Sequence, residues 1–275
     1  MKLNFVKVNP AQNMTILILD QIPRSEYMAI SRKLMDYKNL YAEQVGFVER
    51  RTDGCGTRLE MMGGEFCGNA TRSLAALMVY KGLPNIERDK DIHIVSLEVS
   101  GIEGVLRCEV KKTERENIYS SRVNMPKPIS IEEFYMDNET STYEGIRVDF
   151  PGISHFIVDD NLIDDREYFY SLVKREMDKS EYEAFGIMYY DYEREFMTPL
   201  VYVKATDSLL WEKSCGSGTS ALGAALSYKM DSSIDRVIRQ PGGELEVSVL
   251  WIEGSVSNIS LDGLVEIVAE GIAYI

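Results

Sequence analysis

Two stretches of this chain carry one pattern, 148 positions apart. The first runs from Glu65 through Cys67, Gly68, Asn69, Thr71, Leu74, Ala76 and Tyr80 to Lys81. The second runs from Lys213 through Cys215, Gly216, Ser217, Gly218, Thr219, Leu222, Ala224 and Tyr228 to Lys229. Cysteine, glycine, threonine, leucine, alanine, tyrosine and lysine recur at matching positions. Each stretch reads as a cysteine, a small polar turn and an amphipathic helix. A helix start exposes unpaired N–H groups and a partial positive charge, which favours thiolate and carboxylate anions. The duplication therefore predicts two similar halves, each opening a helix with an activated thiol.

The repeat offset is about half of the 275 residues, so two domains of ordinary size are expected. The net charge of −14 argues against a nucleic-acid surface or an anionic membrane as partner. No apolar run approaches the ~20 residues of a membrane span. The opening residues 1–10 alternate like a strand and lack a secretory leader pattern, so a cytoplasmic location is expected. There the four cysteines (55, 67, 108 and 215) should be thiols.

Residues 3–8 and 14–20 read as a hairpin, and 25–37 as a helix with Ser25 as N-cap. Strands follow at 44–50 and 58–62 around the turn Asp53-Gly54-Cys55-Gly56. The Cys67 helix should stop at Gly82-Leu83-Pro84, with strands at about 91–99 and 103–112. Residues 113–146 turn polar and charged and read as a crossover. Strands at 146–150 and 154–159, a helix at 165–180, and strands at 184–190 and 197–205 repeat the order before Cys215. Gln240-Pro241-Gly242-Gly243 is a turn into the strand Glu244–Ile252. The expected fold class is α+β in two domains.

One cysteine at a helix start suggests a nucleophile, normally with a histidine nearby. Two on matched elements suggest a base and an acid facing opposite sides of one carbon, which would invert a stereocentre. Only His93 and His155 are present, and neither lies in a cysteine–histidine protease signature. Gly68, Asn69, Gly216, Ser217 and Gly218 lie where backbone N–H groups can converge on a substrate carboxylate and on the enolate-like charge formed from it. An α-amino acid, or a similar α-substituted acid, is the natural substrate to expect. No cysteine or histidine spacing suits a metal. Cys55 reads as a turn or core residue and Cys108 as a strand residue.

These motifs resemble those of the cofactor-independent racemases with the diaminopimelate epimerase fold, over nearly the whole length. That resemblance extends to Asn13 after the first strand and to His155 opening a strand in the second half. It implies two pseudo-symmetric domains, each a β-barrel-like sheet around a central helix, and work without pyridoxal phosphate or metal. The halves would be 1–122, completed by the final strand 265–275, and 123–264. Catalytic roles carry over to Cys67 and Cys215, and substrate contact to Asn13, with His155 as a supporting residue behind the site. A homodimer is a family-level expectation.

The chain departs from diaminopimelate epimerases on the side that would recognise a second amino-acid head. Gly152-Ile153-Ser154-His155 lacks the family's asparagine, and the stretch Trp211-Glu212-Lys213-Ser214 is shortened. The runs at Asn9–Leu17, Glu43–Phe47, Glu65–Thr71, Trp211–Thr219 and Gln240–Gly243 resemble the histidine racemases of staphylopine-type metallophore synthesis. That implies histidine as substrate, with Glu43 and Glu212 as candidates to meet its amino or imidazole group. The alternatives are diaminopimelate epimerase or proline racemase and dehydratase-like activity, or a protein that only binds an amino acid.

Overall fold

The computed structural model describes residues 1–50, 56–83, 86–137 and 142–275, except for the side chain of Thr206. Asp53, Gly54, Cys55 and Pro84, to which turn, core and stop roles were assigned above, lie outside the described residues. The chain divides into two compact units: Met1–Asn124 with Asp262–Ile275, and Met125–Leu261.

In the first unit Lys2–Asn9 pairs antiparallel with Thr15–Ile18, aligning Phe5 with Ile18, and with the end of Ser255–Tyr274, aligning Leu3 with Ala273. Helix α1 (Tyr27–Met35) then carries the chain to Gln44–Arg50, which lies parallel to Thr15–Ile18. Thr57–Met61 turns back antiparallel. After helix α2 (Gly68–Lys81), Ile92–Val99 lies parallel to Thr57–Met61, and Val105–Lys112 and Ile118–Met125 follow antiparallel.

The second unit repeats this pairing order. Thr142–Phe150 and Ile153–Asp159 are antiparallel, helix α3 (Arg166–Met177) leads to the parallel Ala184–Asp191, and Phe196–Val203 turns back. Helix α4 (Gly216–Met230) leads to Ile234–Gln240, which meets Phe196–Val203 in parallel at Phe196 and Arg239, and then to Gly243–Ile252. Parallel neighbours cannot be joined by a tight hairpin, so each parallel step carries a helix. The duplicated sequence thus recurs in topology.

Apolar burial explains the helix positions. Tyr27, Ile30 and Leu34 of α1 pack on Phe5, Ile16, Ile18, Val45 and Phe47, with the Tyr27 and Phe47 rings stacked 3.5 Å apart. Phe169, Leu172 and Val173 of α3 pack on Phe156, Val158, Ile187 and Tyr189. Each such side chain contributes roughly 1.5–3 kcal/mol when taken out of water.

Helices α2 and α4 differ from expectation. Every residue from Gly68 to Val79 is buried, as is most of Gly216 to Ala225, so neither helix is amphipathic. Both are enclosed on all sides, which is why alanine, glycine, serine and threonine dominate their sequences. One further reading is corrected: Ser25 does not cap α1. The chain enters through a tight turn at Arg24–Glu26, held by Arg24 on Glu49 (2.7 Å) and the Tyr27 hydroxyl on the same carboxylate (2.7 Å). The division between the units falls within residues 113–146, which also contain the strands Ile118–Met125 and Ser130–Asp137, with Val123 and Met136 buried.

Candidate active site

Cys67 and Cys215 are the N-cap residues of α2 and α4, and their local geometry is almost the same. Cys67 has φ −133° and ψ 110°, Cys215 φ −115° and ψ 110°. The Ala70 amide donates to Cys67 Sγ at 3.4 Å, and the Gly218 amide to Cys215 Sγ at 3.3 Å. The carbonyl of each cysteine accepts from the threonine four residues on. The Thr71 hydroxyl and amide lie at 2.7 and 2.9 Å, those of Thr219 at 2.6 and 2.9 Å. Sulfur thus takes the place of the usual serine or aspartate cap oxygen.

The segment before Cys67 is fixed by a close backbone approach. Ser100 Oγ donates to Glu65 O at 2.6 Å. A Cβ on Gly101, at φ +74°, would stand 2.4 Å from the Phe66 amide. Only glycine supplies both the positive φ and the missing side chain there.

In the first unit Asn13, Glu43, Cys67 and Asn69 are drawn together, with Gly68 in the first turn of α2. Asn13 Nδ2 donates to Glu43 Oε2 at 2.7 Å, and Asn69 Nδ2 to Asn13 Oδ1 at 3.2 Å. Gln44 and Arg72 join this group without having been assigned any role from the sequence. The Cys67 thiol donates to Gln44 Oε1 at 3.1 Å, and Gln44 Nε2 to Asn13 Oδ1 and Thr15 Oγ1, each at 2.7 Å. Arg72 is wholly buried and donates to Asn69 Oδ1 at 2.7 Å and Gly263 O at 2.8 Å. Burial lowers its guanidinium to about 10.

In the second unit Glu212, Ser217 and Gly218 surround Cys215, and Gly216 opens the helix. Glu212 hydrogen-bonds the Cys215 thiol, and Ser217 Oγ lies 3.5 Å from the sulfur. Gln240 was also missed. Its Oε1 accepts from the Cys215 amide at 2.8 Å while its Nε2 donates to Thr219 Oγ1 at 2.9 Å, pinning the helix start from outside. Gln44 and Gln240 both stand in runs singled out above, but glutamine in a strand carries no signal of its own.

The sequence expectation of two thiols biased toward ionisation fails at Cys215. Burial pushes this thiol well above its ordinary value, and the charge of Glu212 adds to the effect. The Ser217 and Gly218 hydrogen bonds oppose it without overcoming it. Desolvation here outweighs the helix start. Cys108 is a buried strand residue, pushed up to about 12 by desolvation.

His155 is fully buried on the strand Ile153–Asp159, and burial lowers it to about 3, so it is neutral. A Cβ on Gly186 would meet His155 Nδ1 at 2.5 Å and Met188 Cε at 2.8 Å. A Cβ on Gly218 would meet Met188 Sδ at 2.2 Å and Cys215 Sγ at 3.1 Å. Met188 therefore fills the space from the His155 side to the Cys215 helix start. No helix among the described residues is long and apolar enough to cross a membrane.

Among solved structures the chain is similar to a hydroxyproline epimerase from Agrobacterium vitis with bound trans-4-hydroxy-L-proline. The TM-score is 0.66 over 99% of this chain and 92% of that one, at 11% identity. The fold is thus that of the racemase and epimerase class. Residues 2–274 match the profile described as the histidine racemase CntK N-terminal domain. The chain is 41% identical to a histidine racemase of Fusobacterium nucleatum, over 99% of this chain and 97% of that one. It is 30% identical to a histidine racemase of Staphylococcus aureus, over 99% and 98%. The chain belongs to the histidine racemase family.

Proposed function

We propose that this chain racemises histidine, with Cys67 and Cys215 as the two proton-transfer groups acting on opposite faces of Cα. The observation that carries the reading is the matched capping geometry. Two cysteines on duplicated elements have almost equal dihedrals and receive the same first-turn amide at 3.4 and 3.3 Å. The finer architecture belongs to the same reading: two equivalent diaminopimelate epimerase-like halves, each a sheet around its buried cysteine helix.

In the proposed reaction one sulfur, as thiolate, takes the α-proton. The C–H electron pair moves into the carboxylate, giving an enediolate-like species. The opposite thiol then returns a proton to Cα, so that the two sulfurs exchange protonation states. The reaction needs a base, an acid and donors for the developing charge. The amides at Gly68–Asn69 and Gly216–Gly218 are the candidate donors, and no step draws on pyridoxal phosphate or a metal. Asn13, Glu43 and Glu212 are the candidate contacts to the amino or imidazole group, with His155 supporting Cys215 through Met188. The family's small-molecule amino-acid chemistry and the net charge of −14 agree with a free amino acid as substrate.

Chiral chromatography of a panel of L-amino acids in D₂O tests this directly. L-Histidine should approach the racemate with deuterium at Cα of the product. Racemisation of proline or epimerisation of diaminopimelate in preference to histidine would reject the substrate assignment. Binding of histidine without turnover would reject catalysis.

A further inference from the structure

Arg72 is an expensive residue. A guanidinium with none of its surface exposed sits in α2, its Nε is without a hydrogen-bond partner, and no ion pair among the described residues includes it. Its acceptors are neutral oxygens: Asn69 Oδ1 at 2.7 Å, Gly263 O at 2.8 Å and Ser121 O at 3.4 Å. Burying a charge this way opposes folding. An apolar residue would fill the same space more cheaply, so the guanidinium calls for another explanation.

The hydrogen bonds leading away from it supply one. A guanidinium can only donate, so Asn69 must turn Oδ1 toward Arg72 and Nδ2 away from it. That Nδ2 reaches Asn13 at 3.2 Å, so Asn13 must present Oδ1 there, leaving its own Nδ2 to the Glu43 carboxylate at 2.7 Å. Asn13 Oδ1 in turn takes Gln44 Nε2 at 2.7 Å. Thr15 reinforces this choice. Its hydroxyl proton is committed to Asn13 O at 3.0 Å, so toward Gln44 Nε2, at 2.7 Å, it can only accept. Gln44 is left with Oε1 facing the Cys67 sulfur at 3.1 Å. The amide orientations in this series agree with Arg72, which can only donate, at one end and with the Glu43 carboxylate, which can only accept, at the other.

We propose that Arg72 is a positioning residue of the reaction, acting through Asn69 and Asn13 to lock the Gln44 amide with its carbonyl toward Cys67. The lock rests on the reading of Cys67 as a proton-transfer group. A carbonyl accepts from a thiol and repels a thiolate, so the locked amide keeps Cys67 a proton donor in the substrate-free protein. Flipping Gln44 would set Oε1 against Asn13 Oδ1. Flipping Asn13 as well would set its amide nitrogen against that of Asn69 and its oxygen against Glu43. Arg72 and Glu43 close the two ends. The ionisable groups acting on Arg72 are Asp262, Cys67 and Cys108, and Glu43 is reached through Asn13.

The test is the pH dependence of Cys67 alkylation by iodoacetamide in the substrate-free protein, located by peptide mass spectrometry. Arg72→Lys keeps the charge and loses the fork, and Asn69→Leu cuts the series while leaving Arg72 in place. Both should move the alkylation midpoint to lower pH, raising the rate at neutral pH roughly fivefold, the worth of one hydrogen bond. Gln44→Leu should do the same. Adding Asn69→Leu to it should change nothing further, because both act on one contact. An unchanged midpoint in folded Asn69→Leu would overturn the proposal, as would an effect that adds fully to Gln44→Leu. The readout needs no substrate, so a failure of the racemase reading shows separately, as absent turnover in the unmodified enzyme.

Discussion

Glu212 hydrogen-bonds the Cys215 thiol, and its charge adds to the burial that opposes ionisation of that sulfur. Cys67 donates to the amide oxygen of Gln44 at 3.1 Å. The two helix starts are alike in backbone.

Replacing Glu212 by glutamine should therefore lower the Cys215 ionisation midpoint. Only part of the upward displacement should disappear, since desolvation is the larger cause and remains. Ultraviolet difference titration of thiolate absorbance, compared with the Cys215→Ala protein, gives the midpoint. A Glu212→Gln midpoint equal to that of the unmodified protein would remove Glu212 from the account of this thiol.

Gly218 leaves room for Met188. An alanine Cβ there would stand 2.2 Å from Met188 Sδ and 3.1 Å from Cys215 Sγ. Gly218→Ala is expected to cost about 1–3 kcal/mol through overpacking, and to reduce turnover by displacing the sulfur. Met188→Ala in the same chain should recover much of the turnover by freeing the space. Urea denaturation and steady-state rates on the single and double variants measure both effects. A double variant no more active than Gly218→Ala would show that the crowding lies elsewhere.

The duplicated cysteine motif was enough to read the helices that open at Cys67 and Cys215. The order of strands and helices was legible because each parallel step needs a helix and each antiparallel step a turn. Burial of α2, and of most of α4, over all but their last turns was hidden, because alanine, serine and threonine sit comfortably on exposed and enclosed helices alike. Gln44, Gln240 and Arg72 were illegible for a different reason. Their roles come from partners distant in sequence, such as Arg72 with Gly263, and local pattern carries no record of such pairs. The raised Cys215 thiol was missed because a helix start is visible in sequence and desolvation is not.

His155 makes stability depend on acid. Its folded value of about 3 lies below the ordinary 6.5, so the unfolded chain binds the proton first as pH falls. The stabilisation is complete above 6.5 and is lost as pH drops toward 3. Within that window each unit costs about 1.4 kcal/mol. His155→Gln should flatten this slope, read as the change in urea midpoint between neutral pH and pH 5. Equal slopes for the two proteins would mean that His155 is not the group responsible.

The central claim is that both thiols are needed to invert Cα, and the single Cys67→Ala and Cys215→Ala variants test it most directly. Each should remain folded by circular dichroism and lose conversion of L-histidine to D-histidine by at least about a thousandfold, the scale expected for removing an essential acid or base. Conversion by either variant at a rate close to that of the unmodified protein would contradict the two-thiol account.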